Sequence, residues 1–92
     1  MKNVPWYRSW LILTLTPVMA DISEKLGKRL QELRKDSSLS QERLSLKADL
    51  DRSYVSKIER AECYPSIKTL EKIAQVLEVP VMELFRFEEL QE

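Results

Sequence analysis

Two short helical segments, each with its own start signal and only a few residues apart, lie between Ser40 and Arg60. They constrain the fold more than any other stretch. The first reads Ser40-Gln41-Glu42-Arg43-Leu44, with Ser40 suited to cap a helix start and Leu39 and Leu44 spaced to pack on each other across the cap. The second reads Asp51-Arg52-Ser53-Tyr54-Val55-Ser56-Lys57-Ile58-Glu59-Arg60, with Asp51 able to cap it and Val55 and Ile58 as its inward pair. Asp49-Leu50-Asp51 forms the turn. Asp49 stands where a positive φ is wanted, a conformation aspartate tolerates better than most residues but at a cost relative to glycine.

The flanks supply the rest of an all-α core. Ile22, Leu26, Leu30 and Leu33 recur at spacings of three and four and put one apolar stripe on a first helix. Asp21 or Ser23 can cap it, and Asp36-Ser37-Ser38 breaks it. After a loop over 61–65, Ser66 can cap a fourth helix whose inner stripe is Ile67, Leu70, Ile73, Ala74 and Leu77. Pro80 fits the first turn of a fifth helix, with Val81, Leu84 and Phe85 facing inward. The sequence therefore predicts five short helices on one compact core over residues 21–92, and ninety-two residues leave no room for a second core of useful size.

The second of the paired helices has the two faces that a DNA-reading helix needs. Val55 and Ile58 seat it, while Arg52, Ser53, Tyr54, Ser56 and Lys57 stay on its outer side. This is the layout of a helix-turn-helix, whose second helix enters the major groove. Arg52, near the helix start, suits a bidentate contact to guanine O6 and N7, which discriminates by about 1–3 kcal/mol. Lys57 lies a little over one turn further on, within reach of a neighbouring base or a phosphate. Tyr54 can lay its ring along a sugar or on a thymine methyl. Gln41, in the first turn of the preceding helix, suits a phosphate, because the helix start adds free backbone N–H groups to its amide.

Lys plus Arg and Asp plus Glu number fifteen each, so the net charge is zero. The distribution is uneven, with twelve basic and eight acidic side chains in residues 1–60 against three and seven in residues 61–92. One basic face is enough for a small DNA reader, and an acidic remainder limits non-specific adhesion. The absence of histidine removes the commonest general base and the commonest zinc ligand. Cys63 stands alone, so neither an internal disulfide nor a cysteine zinc site forms, and a reducing, cytoplasmic setting is the simpler reading. With no Ser-His or Cys-His pairing, glycine-rich phosphate loop or carboxylates at metal spacing, no catalysis, metal, cofactor or small-molecule ligand is expected.

Residues 1–20 form an N-terminal extension unlike the rest. Lys2 and Arg8 precede the run Trp10-Leu11-Ile12-Leu13-Thr14-Leu15, and Pro17-Val18-Met19-Ala20 follows, the outline of a secretory signal peptide. The run is shorter than the about 20 residues that span a bilayer, and export would leave a DNA reader nothing to read. The other readings are an arm packing on the domain or on a second subunit, and a disordered extension ahead of a natural start at Met19.

From about Leu26 to Phe85 the chain resembles the Cro/repressor-type, XRE-like helix-turn-helix family. The residues that carry the resemblance are Gly27-Lys28-Arg29-Leu30, Leu33-Arg34, Leu39-Ser40-Gln41-Glu42, Ser53-Tyr54-Val55-Ser56-Lys57-Ile58-Glu59-Arg60, Pro65-Ser66, Leu70, Ile73-Ala74, Leu77 and Glu83-Leu84-Phe85. The resemblance implies a lambda-repressor-like domain of five α-helices, a homodimer and a near-palindromic operator. Carried over by position, Gln41 touches phosphate, Arg52, Ser53 and Lys57 face bases, and Glu59 pairs with Arg34 as a structural ion pair between helices three and one. The run from Leu50 to Ser56 also resembles the restriction–modification controller proteins, small dimeric activator-repressors. Three positions depart from the family pattern. Ser45 replaces the usual Ala at the helix crossing, which obliges its hydroxyl to bond back to its own helix, and Asp49 and Ala61 replace turn glycines.

Ser56, Arg43 and Arg60 are further candidates for phosphate, the two arginines divided between that role and plain surface charge. Lys25, Lys28, Arg29 and Lys35 are expected to be mostly solvated, and Leu46 to be exposed. Met82, Phe85, Phe87 and Leu90 exceed what one inner stripe needs and are assigned to core closure and to a dimer contact made by a C-terminal dimerisation helix. The expectation is a homodimeric, sequence-specific regulator that binds double-stranded DNA, with no membrane partner. The alternatives are the antitoxin of a toxin–antitoxin pair and a protein-interaction module of the same fold; Arg52 and Lys57 speak against the module, whose face would more naturally be apolar there.

Overall fold

The computed structural model of the protein describes residues 22–87, so the N-terminal extension, a cap from Asp21 and a dimer role for Leu90 lie outside the described residues. Helices α1 (Ile22–Asp36), α2 (Gln41–Lys47), α3 (Tyr54–Glu59) and α4 (Ile67–Leu77) are followed by a short 3-10 helix, Val81–Phe85. Two serine caps act as their sequence positions indicate. Ser40 accepts the Arg43 N–H at 3.0 Å ahead of α2, and Ser66 accepts that of Thr69 at 3.1 Å ahead of α4. Ser23 lies inside α1 and so does not cap it.

The helices close on one apolar core. Leu30 from α1, Leu44 from α2, Val55 from α3, Ile73 from α4 and Leu84 from the 3-10 helix have no exposed surface. Leu26, Ile58, Leu70, Ala74 and Leu77 complete the centre, with Leu33, Leu39 and Val81 packed at its edge. Ile22 and Ile67, expected on inner stripes, are mostly exposed. Each is the first residue of its helix.

The fifth helix is shorter and tighter than the sequence predicts, giving four α-helices and one 3-10 turn among the described residues. Pro80 precedes that turn with φ −65° and ψ 151° and does not lie in its first turn. A side chain of α1 holds this turn. Arg29 of α1 donates Nε–H to the Glu83 carbonyl at 2.8 Å, and the same carbonyl also accepts the Arg86 N–H at 3.3 Å. A second bond from the same guanidinium reaches the Glu83 carboxylate at 3.0 Å, and a third reaches Glu32 at 3.0 Å. Arg29 is thus a clamp between α1 and the C-terminal turn, and its side chain is only 17% exposed, in contrast to the solvated residue expected. Leu84 faces inward, whereas Phe85 stays 40% exposed.

The four described α-helices end alike. Ser38, Asp49, Ala61 and Glu78 have φ of 58°, 62°, 60° and 62°. In each case the following N–H reaches back five residues: Leu39 to Arg34 O (3.2 Å), Leu50 to Ser45 O (2.9 Å), Glu62 to Lys57 O (2.8 Å) and Val79 to Ala74 O (3.1 Å). This closure satisfies terminal carbonyls and normally places glycine at the left-handed position, because that conformation costs other L-residues about 1–2 kcal/mol. None of the four is glycine. The chain's one glycine is Gly27, in the middle of α1, where a Cβ would stand 2.7 Å from the Ile58 carbonyl oxygen and 2.8 Å from that of Glu59. Its missing side chain lets the backbone of α3 lie directly against α1.

Candidate nucleic-acid interface

The helix that carries the DNA-reading candidates is only six residues long, so its orientation comes from ties to its neighbours. Gly27 sets its distance from α1. Arg34 and Glu59 form a bidentate pair, Nε to Oε2 at 2.6 Å and Nη2 to Oε1 at 3.0 Å, with side chains 10% and 3% exposed. Arg34 also donates to the Leu39 carbonyl at 2.9 Å, and Gln41 of α2 donates its amide to Glu59 Oε1 at 2.7 Å. Three helices therefore meet on one carboxylate. A buried pair of this geometry resists disruption because removing one partner strands the other charge.

Ser45 makes the third tie. Its hydroxyl donates back to the Gln41 carbonyl at 3.0 Å, and its oxygen also accepts the Val55 N–H of α3 at 3.0 Å. The first bond follows from the sequence; the second, between helices, does not. The start of α3 is held further by Asp51, whose carboxylate accepts the Ser53 hydroxyl at 2.8 Å and the Ser53 N–H at 3.3 Å. Those two bonds, the hydroxyl first, hold the Asp51 carboxyl below the usual carboxylate range. Asp51 thus closes the turn at Ser53 and does not cap the helix as the sequence suggests: the cap position is Ser53, and Arg52 and Ser53 form a turn in front of Tyr54.

On the outer side, Arg52 and Lys57 are exposed and Ser53 and Ser56 are half-buried. The Arg52 guanidinium rests 3.1 Å from the Glu42 carboxylate of α2, with the side chains 72% and 51% exposed. So exposed a pair contributes little and yields readily to a stronger acceptor. Gln41, half-buried, keeps one amide hydrogen free of Glu59. Arg43 is exposed on α2. Arg60 is engaged by the Ser56 hydroxyl and, at 2.9 and 3.0 Å, by Glu62. The bonds between them raise the Arg60 guanidinium's affinity for its proton and lower that of the Glu62 carboxylate.

Tyr54 is placed apart from its neighbours. Its ring packs at the edge of the core, beside Cys63 and Thr69, and burial, with Cys63 adding to it, pushes the phenol pKa up. Leu46 is exposed, as expected from its helix face. Of the proposed dimer residues, Met82 is 70% and Phe85 40% exposed, and Phe85 meets Phe87 edge-on with ring centroids 6.2 Å apart.

Helices α2 and α3, locked at their crossing and offering arginine, serine and lysine outward, define a helix-turn-helix DNA-binding protein. The chain belongs to the helix-turn-helix family HTH_3, whose model matches residues 30–84. It is similar to the control protein C.MunI of a Mycoplasma species, 43% identical over 68 residues that make up 73% of this chain and 92% of that protein. The crystal structure of the restriction–modification controller protein C.AhdI from Aeromonas hydrophila is 44% identical and matches with a TM-score of 0.68, over 72% of this chain and 98% of that one. A tetramer of the controller C.Esp1396I, bound to its natural 35-base-pair operator, matches at 36% identity and a TM-score of 0.63, over 70% of this chain and 84% of that one. The protein is a DNA-binding transcriptional regulator of this family, which is not a family of enzymes. Among the described residues no helix is long and apolar enough to cross a membrane.

Sequence reasoning missed three contacts. The Ser45–Val55 bond had a signal in the serine at a crossing where alanine is usual. The Arg29–Glu83 clamp spans 54 residues and leaves no local trace. The Glu42–Arg52 pair needs the crossing geometry of α2 and the turn before α3.

Proposed function

We propose that the protein acts in the cytoplasm as a homodimer that reads a near-palindromic operator, in the manner of a small restriction–modification controller. Arg52, Ser53 and Lys57 face base edges, with Tyr54 at the margin. Gln41, Arg43, Ser56 and Arg60 meet the phosphates, where Arg60 exchanges Glu62 for a phosphate oxygen. Met82, Phe85, Phe87 and Leu90 contribute the dimer contact, so that two copies of α3 enter successive major grooves about 34 Å apart. The observation that carries this reading is the exposed Arg52–Lys57 face on a helix fixed from behind by Gly27, Ser45 and Glu59. Its test is titration of a labelled duplex from the region upstream of the coding sequence, with wild type and Arg52→Ala. Tight binding that weakens with salt and is lost in the variant is expected. Equal and weak binding by both would overturn the reading.

A further inference from the structure

We infer that Ser45 is a positioning residue for operator discrimination, acting as the cap of the recognition helix from a different helix. This rests on the reading above and names a residue that touches no DNA. By position the cap of α3 is Ser53, yet Ser53, at φ −97° and ψ 3°, makes no side-chain cap bond to the helix. The N–H of Val55, second residue of α3, is one of the donors that a helix start leaves unpaired. It is buried, and its acceptor is the Ser45 hydroxyl at 3.0 Å. Ser45 has no exposed surface, and its own hydrogen goes to the Gln41 carbonyl at 3.0 Å. One hydroxyl therefore joins the α2 backbone to the first turn of α3, three residues from Arg52 and two from Lys57.

The consequence falls on base reading more than on binding in general. Base-edge hydrogen bonds weaken steeply when distance or angle departs from a narrow range. Phosphate contacts made by long basic side chains absorb a small shift and carry no sequence information. Without Ser45 the buried Val55 N–H of this chain loses its side-chain acceptor, a cost that a tilt or slide of α3 towards another acceptor relieves. Arg52 and Lys57 then approach the bases off line, while the phosphate contacts persist.

The experiment compares wild type, Ser45→Ala and Ser45→Cys at one salt concentration. Each is titrated with a duplex enriched from a random-sequence pool by the wild-type protein, and with a scrambled version of that duplex. Circular dichroism sets a temperature at which the variants are folded; the cysteine, close in volume and a weaker acceptor, serves should the alanine variant not fold. The ratio of scrambled to enriched dissociation constants is expected to fall roughly fivefold to tenfold in Ser45→Ala. Ser45→Cys should lie between, and binding to the scrambled duplex should hardly change. The Val55 amide should exchange its hydrogen faster in both variants. A ratio within about twofold of wild type in a folded variant overturns the inference while the regulator reading stands. A wild type that enriches no duplex overturns both.

Discussion

Replacing Gly27 with alanine tests whether close backbone approach positions the recognition helix. On helix propensity alone the change should help, since glycine inside a helix costs about 1 kcal/mol relative to alanine. The structure opposes that gain. The new methyl would sit 2.7 Å and 2.8 Å from two carbonyl oxygens of α3 and 3.0 Å from the Glu59 Cα, whereas carbon–oxygen contacts settle near 3.3–3.6 Å, roughly half an ångström or more further out. Backbone atoms cannot rotate aside as a flexible side chain can, so overpacking belongs in the upper part of its usual range, about 2–3 kcal/mol. Less the propensity gain, the net loss is about 1–2 kcal/mol, or a melting temperature lower by roughly 5–15 °C for a domain of this size. Because α3 must move outward, operator affinity should fall as well, even where the variant is fully folded. Thermal unfolding followed by circular dichroism, with duplex titration below the transition, measures both. A Gly27→Ala protein at least as stable as wild type would refute the reasoning.

The left-handed helix ends predict the opposite sign: Ala61→Gly and Asp49→Gly should each stabilise by about 1 kcal/mol, read from denaturant midpoints at unchanged slope. Either of Arg34→Met and Glu59→Leu alone should cost about 3–5 kcal/mol, and the double variant clearly less than the two together, because it strands no charge; a double-mutant cycle by urea unfolding checks this. The depressed Asp51 carboxyl stabilises the folded state fully above its unfolded pKa, near 3.9, and loses that contribution as pH falls through the lower folded value. Asp51→Asn should therefore melt below wild type at neutral pH, with the gap narrowing under about pH 4; a gap that widens on acidification would reverse the assignment.

Much of the fold is legible in the sequence for local reasons, as is the exposure of Arg52 and Lys57 at the candidate site. Ser40 and Ser66 cap over three residues, and the stripe from Leu26 to Leu30 repeats with the helix period, so each leaves its signal within one or two turns. Asp49 is legible as strained from its place in the turn, and Ala61 only because the family that the chain resembles has glycine there. The pattern from Pro80 to Phe85 does not separate a fifth α-helix from the 3-10 turn, and the Arg29 side chain that holds the Glu83 carbonyl lies far away in the chain. Tyr54 shows the same limit at the site. Its place in the sequence puts it on the outer face, yet the neighbouring Cys63 and Thr69 come from the loop and from α4, whose positions no local pattern reveals.

Ending each of the four described α-helices on serine, aspartate, alanine or glutamate with glycine-like geometry keeps the connections short while holding the folded state below the stability its topology could reach. Small domains rest on about 5–15 kcal/mol in total, so four such positions enlarge the open population on which proteolysis acts. Faster turnover than that of a glycine-ended variant is the expected consequence. In a pulse-chase experiment the Ala61→Gly chain is expected to outlast the wild type, so that the native residue shortens how long a cell retains the protein once its synthesis stops.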